Sequence, residues 1–189
     1  VFFRNIDVMK HNTKMLKTLG TFLIEIEAKY EIPRGLKYTP QTNDWGIVGG
    51  SNLSEIVQVK LGARVMLVYN VSIPDLLVNG SLGTVIGLEC TRPGHIEAII
   101  VEFDHSDAGL DQMKEFPQIS SKYPGQRGCP IFKTTIEEPM PYGKRSRNQG
   151  KKHGSTYKII QFPLRLAWAS TTHKLQGITI KRGSNLVIH

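Results

Sequence analysis

The stretch from Pro163 to Thr179 constrains the fold of this chain most, because it combines helix-end signals with a helical apolar pattern. Pro163 suits the first position of a helix, since proline has no N–H group to leave unpaired, and Gly177 suits the left-handed position after a helix end. Apolar or small residues recur between them at helical spacing, at Leu164, Ala167, Trp168, Thr171 and Leu175. The pattern predicts one helix of about three turns that packs on a sheet.

The last two turns of this predicted helix are polar, with the sequence Thr-Thr-His-Lys-Leu-Gln-Gly over residues 171–177. One interpretation is that these are ordinary solvated residues, since a cation such as Lys174 is favourable near a helix C-terminus. The other interpretation is a phosphate site. Hydroxyl, imidazole and backbone N–H groups bind phosphate without reading the identity of a base.

The run from Leu164 to Gly177 resembles the Leu-Ala-x-Ala-x-Thr-x-His-Lys-x-Gln-Gly segment, the fifth motif of superfamily-one helicases of the RecD-like and Pif-type group. In that family the segment lies in the second of two RecA-like domains, between the single-stranded DNA track and the ATP cleft. The resemblance implies that Thr172 and His173 contact the DNA backbone. It implies that Gln176 and Gly177 sense the nucleotide phosphates.

The N-terminal residues predict a strand end followed by a helix. Asn5 or Asp7 is a candidate N-cap, and the apolar face and end of the helix are predicted at Val8, Met15, Leu16, Leu19 and Gly20. Asn5, Val8 and Asn12 also resemble the fourth motif of the same family. Asn12 is equally compatible with an ordinary helix-surface residue.

Several apolar segments predict strands, at residues 53–59, 63–69, 84–88, 96–103, 157–162 and 184–189. The second of these has the continuous apolar character of a strand covered on both faces, and Asn79-Gly80 predicts a turn. The string from Val65 to Val85 resembles the family segment that leads into a small inserted β-barrel of Src-homology-three type. Residues 104–156 show little periodicity and are interpreted as loop and barrel segments with an insertion. Trp45, in a loop-like stretch, is either a packing residue or a base-stacking residue.

The net charge of +8 and the pI near 9.5 favour a polyanionic partner. One basic cluster contains Lys144, Arg145, Arg147, Lys151, Lys152 and Lys158, interleaved with Tyr142, His153 and Tyr157. It is either a nucleic-acid contact, with the cations on phosphates and the aromatics on bases, or a solvated basic loop or nuclear-import signal. We identify no catalytic residue. The isolated Cys90 and Cys129 predict neither a metal site nor a disulfide framework.

Together these features predict an α/β fold, and the resemblance implies an incomplete second RecA-like helicase domain from residues 1–74 and 158–189, with a β-rich insertion at residues 75–157. The resemblance implies the C-terminal portion of an ATP-dependent 5′–3′ DNA helicase that uses ATP and Mg²⁺ and acts as a monomer on single-stranded or forked DNA. We expect an N-terminal RecA-like domain to be supplied by a longer protein, because this chain has no Walker-type phosphate loop and is predicted to be inactive alone. The alternative is a non-motor nucleic-acid-binding module on a helicase-like scaffold. No apolar run is long enough for a membrane span, and we expect an intracellular protein in the nucleus, with the mitochondrion as the alternative.

Overall fold

The computed structural model describes residue 2 and residues 4–140 and 155–170. Helix α1 spans Asn5–Thr18 and buries Asn12 and Leu16. Arg4 occupies the N-cap position without a side-chain cap, so the predicted caps Asn5 and Asp7 lie inside the helix instead. The chain leaves the helix at Leu19 in an extended conformation, and the predicted glycine cap at Gly20 is therefore wrong.

Within the described residues, ten strands and two short helices follow α1. The strands are β1 (Ile24–Glu27), β2 (Lys29–Glu31), β3 (Ile56–Val59), β4 (Arg64–Leu67), β5 (Leu82–Arg92), β6 (His95–Phe103), β7 (Cys129–Phe132), β8 (Thr134–Pro139), β9 (Thr156–Gln161) and β10 (Leu164–Leu166). The helices α2 (Leu110–Glu115) and α3 (Pro117–Ser120) lie between β6 and β7. Residues 104–140 therefore contain more regular structure than their weak periodicity indicated.

The strands form three sheets, and every ladder among the described strands is antiparallel. The largest sheet has the order β10-β4-β5-β6-β7, a second has the order β2-β9-β8, and β1 pairs with β3. The last strand predicted from the sequence, residues 184–189, lies outside the described residues.

Strand β4 lies between two hydrophobic cores, which explains the uninterrupted apolar run at residues 65–68. Val65 and Leu67 belong to the larger core, which also contains residues of α1, β3, β5, β6 and β7. Met66 and the adjacent Val68 belong to a second core around Tyr157 and Ile159. Because side chains alternate across a strand, a strand that is covered on both faces has apolar residues at consecutive positions. The prediction of a covered strand here is confirmed, although its partners are antiparallel.

The predicted helix from Pro163 is wrong over all of its described part, residues 163–170, because Leu164–Leu166 form strand β10 and residues 167–170 are not helical. This strand pairs with β4 in the register Leu164↔Leu67, Arg165↔Met66 and Leu166↔Val65. The pairing is extended at both ends, since Val68 N–H donates to the Pro163 carbonyl at 2.9 Å and Ala167 N–H donates to the Arg64 carbonyl at 2.9 Å. Hydrogen bonding to the edge of β4 and burial of Leu164 stabilise the strand by more than the helix propensity of this leucine- and alanine-rich run would stabilise a helix.

The described residues contain both helices and sheets, as expected of an α/β chain. The large sheet combines strands from inside residues 75–157 with β4 and β10 from outside that range. The division into two domains at these residues, and the closure of the insertion into a barrel, stay predictions. No helix in residues 4–140 or 155–170 is long and apolar enough to span a membrane.

Candidate nucleic-acid interface

Asn12 joins helix α1 to the segment that follows β10. Its Nδ2 donates to the carbonyl oxygens of Leu166 at 3.0 Å and Ala169 at 3.2 Å, and its Oδ1 accepts a hydrogen bond from Ala169 N–H at 2.8 Å. The side chain is 5% exposed, and both ends of its amide are used. The interpretation of Asn12 as a helix-surface residue is therefore wrong.

The N-terminal residues reach the same segment. Phe2 N–H donates to the Ser170 carbonyl at 3.1 Å, and the Phe2 ring lies 5.4 Å from the imidazole of His11 on α1. Residues 166–170 are thus held from two sides immediately before the polar Thr-Thr-His-Lys-Leu-Gln-Gly sequence begins.

A cleft of about 170 Å³ lies beside this junction, between α1, the loop that carries Trp45, β3 and β10. Arg165 lines it, and its Nη2 donates to the Asn52 carbonyl at 2.8 Å. Burial lowers the pKa of the Arg165 guanidinium, but arginine still carries its charge at neutral pH. Among the described residues no carboxylate forms an ion pair with it.

The other residues of the cleft add an aromatic ring, hydroxyl groups and an apolar floor. Trp45 is half-buried, and Thr13 and Ser54 contribute hydroxyl groups. Gln58 is engaged with Glu25, to which its Nε2 donates at 2.6 Å. A guanidinium, hydroxyls and an indole are the groups that contact phosphates and stack on bases in nucleic-acid sites.

The residues assigned to DNA and nucleotide from the helicase resemblance, Thr172, His173, Gln176 and Gly177, lie outside the described residues. The same is true of the basic residues Lys144, Arg145, Arg147, Lys151 and Lys152. The structure describes the points where these segments join the rest of the molecule. One point is Ser170. The other is the end of the β8–β9 ladder, where Met140 N–H donates to the Ser155 carbonyl at 2.9 Å.

Two residues grouped with the basic cluster are placed by the structure: Tyr157 is buried, whereas Lys158 is exposed beside a carboxylate. Tyr157 is 2% exposed in the second core and packs against Tyr38 with ring centroids 5.1 Å apart. Its burial, followed by the influence of Tyr38 and Glu138, raises the pKa of Tyr157 to about 12. Lys158 lies 3.6 Å from a carboxylate oxygen of Glu31. The prediction that Tyr157 stacks on a base is wrong, because the ring fills the core.

The positive charge of the chain is concentrated in two segments. Of the 24 lysines and arginines, five lie in residues 141–154 and three in residues 171–189, and neither segment contains any of the 16 acidic residues. The remainder of the chain therefore has 16 basic and 16 acidic residues and no net charge. The net positive charge that attracts a polyanion at long range therefore belongs to these two segments, one of which interrupts the described residues and the other of which follows them in sequence.

Sequence reasoning missed the roles of Asn12 and Arg165, although one signal was present. Asn12 lies four residues after Val8 and four before Leu16, on the apolar stripe of α1. A polar residue on such a stripe is buried and must find hydrogen-bond partners. The contact of Arg165 with Asn52 could not be predicted, because its segment was interpreted as a helix and Asn52 is remote in sequence. Within the described residues, no group of three or more His, Cys, Asp or Glu side chains is arranged to hold a metal ion.

No protein-family model matches the chain. Among curated proteins it is similar to the ATP-dependent DNA helicase PIF1 of Homo sapiens, at 30% identity over 128 residues, which are 68% of this chain and 15% of the human protein. It is also similar to PIF1 of Danio rerio, at 30% identity over 69% of this chain and 15% of that protein. The ATP-dependent DNA helicase PIF7 of Trypanosoma brucei brucei is 29% identical over 69% of this chain and 13% of that protein.

Solved structures show the same relationship at the level of fold. The crystal structure of the Pif1 helicase from Candida albicans matches 98% of this chain and 37% of that chain, with a TM-score of 0.60 and 19% identity. The structure of Bacteroides Pif1 bound to single-stranded DNA matches 95% of this chain and 32% of that chain, with a TM-score of 0.58 and 22% identity.

The fold and the sequence matches define a region of a superfamily-one DNA helicase. Within that class, the chain belongs to the Pif-type family. It spans about 15% of the length of the human and zebrafish relatives that it matches.

Proposed function

We propose that this chain is part of the second RecA-like motor domain of an ATP-dependent DNA helicase that moves 5′ to 3′ on single-stranded DNA. One observation carries the proposal: two stretches that resemble separate helicase motifs, around residues 5–12 and 164–177, are joined through the three hydrogen bonds of Asn12. The two stretches are more than 150 residues apart in sequence. A direct junction of this kind would transmit movement from one motif to the other.

In this proposal Thr172 and His173 contact the DNA backbone, and Gln176 and Gly177 contact the phosphates of ATP. Both pairs lie in one short sequence, so closure around the nucleotide would shift the contact with the strand. Phosphoryl transfer also needs a phosphate loop and Mg²⁺, which we assign to an N-terminal RecA-like domain of a longer protein. The proposed protein is a nuclear monomer that acts on single-stranded or forked DNA.

The chemistry of the cleft and the distribution of charge add to this proposal. Arg165 supplies one phosphate contact beside the junction, and Trp45 offers a stacking surface. Lys144, Arg145, Arg147, Lys151 and Lys152 would attract the strand without reading its sequence. We assign residues 75–157 to an insertion that carries these five residues.

A second candidate is a nucleic-acid-binding module without motor activity. The observation that favours it is that five of the eight excess positive charges lie in residues 141–154, away from the helicase-like motif. In that case the basic segment would provide the affinity, and Thr172 and His173 would contribute nothing.

Fluorescence anisotropy of a labelled single-stranded oligonucleotide distinguishes the two. The protein is titrated at several salt concentrations beside a Thr172→Ala/His173→Ala variant and a variant with the five basic residues changed to glutamine. A charge-matched control changes five exposed cations elsewhere, namely Lys10, Lys14, Lys17, Arg34 and Lys37.

The motor proposal predicts that the Thr172/His173 variant loses affinity at every salt concentration. The variant without the five basic residues should have a shallower salt dependence, by at most about 3.5 in the slope of log K against log salt, at about 0.7 per phosphate. Full affinity in the Thr172/His173 variant, with loss confined to the basic-segment variant, would instead support the binding module.

A further inference from the structure

We propose that Asn12 is a positioning residue for DNA binding, which holds the segment before Thr172 and His173 in the conformation that the DNA contact requires. This inference rests on the proposed function. In this proposal Asn12, which is 5% exposed at the edge of the cleft, acts through the backbone of the segment and makes no contact with DNA itself.

The hydrogen bonds of Asn12 fix the segment by its backbone and not by its side chains. The carboxamide receives Ala169 N–H and donates to the carbonyls of Leu166 and Ala169, so it spans a stretch of four residues. The ladder between β10 and β4 ends at Leu166, and the last backbone bond to β4 is that of Ala167 N–H to Arg64. Beyond the end of this ladder, hydrogen bonds to Asn12 therefore hold the backbone in place of hydrogen bonds to β4.

The amide group is suited to this position because it donates and accepts at the same site. A carboxylate would place a negative charge against two carbonyl oxygens, and an alanine would leave those carbonyls and one N–H without partners in a buried site. Neighbours of Asn12 on the stripe of α1 are apolar, so no other side chain of that stripe can substitute for it.

Thr172 follows Ala169 by only three residues. A change in backbone conformation at Ala169 would therefore also displace the threonine and the histidine, because only two residues separate Ala169 from Thr172. Asn12 thus acts at a distance on DNA affinity, by reducing the conformations open to the contact residues before DNA arrives.

The test uses the full-length helicase and measures ATP hydrolysis as a function of single-stranded DNA concentration, together with DNA affinity by anisotropy. For Asn12→Ala we expect the DNA concentration at half-maximal activity and the Kd to rise about tenfold, which corresponds to the loss of one buried hydrogen-bond network. The rate at saturating DNA should change much less. Gln118→Ala, which removes an exposed carboxamide on α3 outside both motif-like stretches, is the matched control.

A double-mutant cycle separates positioning from general stability. If Asn12 acts through the contact residues, adding Asn12→Ala to Thr172→Ala/His173→Ala should weaken binding no further. Additive losses, or an unchanged Kd in Asn12→Ala, would overturn the proposal. If Asn12→Ala does not fold, Asn12→Ser, which keeps one donor and one acceptor, is put through the same cycle with the same criterion.

Failure of the proposed function has a different signature. A wild-type protein that neither binds the oligonucleotide nor responds to it in ATP hydrolysis overturns the motor proposal and this inference together. A wild-type protein that binds normally beside an Asn12→Ala variant that binds equally well overturns only the role of Asn12.

Discussion

At the scale of single residues, Arg165 is the described cation best placed for a phosphate. It lines the cleft, is held by the Asn52 carbonyl, and forms no ion pair with a described carboxylate. By contrast Arg64, on the neighbouring strand, is neutralised by a bidentate pair with Asp104. The two arginines show why charge counts along the sequence do not locate a binding site.

Substitution of Arg165 tests its contact with DNA. Arg165→Gln should weaken binding of single-stranded DNA about three- to tenfold, because one charge-assisted contact to phosphate is lost. Arg165→Lys should recover part of the affinity, since it keeps the charge but not the fixed fork geometry. Binding is measured by anisotropy, with Arg34→Gln, an exposed arginine, as the control. Equal losses in both glutamine variants would remove Arg165 from the interface.

Burial of Tyr157 predicts a change in stability at alkaline pH. Its pKa rises from 10.0 to about 12 in the folded protein, so folding favours the protonated phenol. The resulting stabilisation is complete below pH 10 and is lost as the pH rises through about 12. The free energy of unfolding, measured by urea denaturation, should therefore fall with pH in this range by about 2 kcal/mol more in the wild type than in Tyr157→Phe.

The control for this prediction is Tyr69→Phe, because Tyr69 is 42% exposed. Its pH dependence should match that of the wild type. An unchanged alkaline slope in Tyr157→Phe would mean that the phenol of Tyr157 remains hydrated in the folded protein.

At the level of secondary-structure elements, β10 pairs with β4 at the edge of the large sheet, where the sequence predicts the start of a helix. Leu164 is fully buried in this pairing, with its side chain in the larger core. Leu164→Ala should lower the free energy of unfolding by about 2–4 kcal/mol, because it removes buried methyl groups and leaves a cavity.

Leu61→Ala is the matched control, because Leu61 is 45% exposed in the turn before β4. It should change the free energy of unfolding by no more than about 0.5 kcal/mol in urea denaturation. A loss in Leu164→Ala as small as that of the control would contradict the placement of β10 beside β4.

Elements with a local signal were predictable from the sequence, and those decided by remote partners were not. Strands β4, β5 and β6 have apolar runs bounded by turn residues, and the Asn79-Gly80 turn is formed with Gly80 at a φ of 99°. Strand β10 was predicted as helix because the edge of β4 that it pairs with lies about 100 residues earlier. Asn12 was ambiguous for the same reason, since the carbonyls that it binds are 154 and 157 residues away in sequence.

At the scale of the whole molecule, structure and charge are divided between different parts of the chain. The described body is neutral and supplies packing, the anchoring of residues 166–170 and the cleft of Arg165. The excess of eight positive charges belongs to residues 141–154 and 171–189. One of the two basic segments begins directly after the anchored residues 166–170, and it contains the residues 172–177 that resemble the helicase motif.

If this chain forms one side of a motor that needs a second domain, as we propose, ATP hydrolysis must depend on that domain. Magnesium-dependent hydrolysis is measured for the 189-residue chain alone and for the full-length protein, each with and without single-stranded DNA. We predict no hydrolysis by the chain alone, and DNA-stimulated hydrolysis by the full-length protein that is abolished by Gln176→Ala. The motor proposal is wrong if the isolated chain hydrolyses ATP and Gln176→Ala abolishes that activity. It is also wrong if hydrolysis by the full-length protein is neither stimulated by DNA nor reduced by Gln176→Ala.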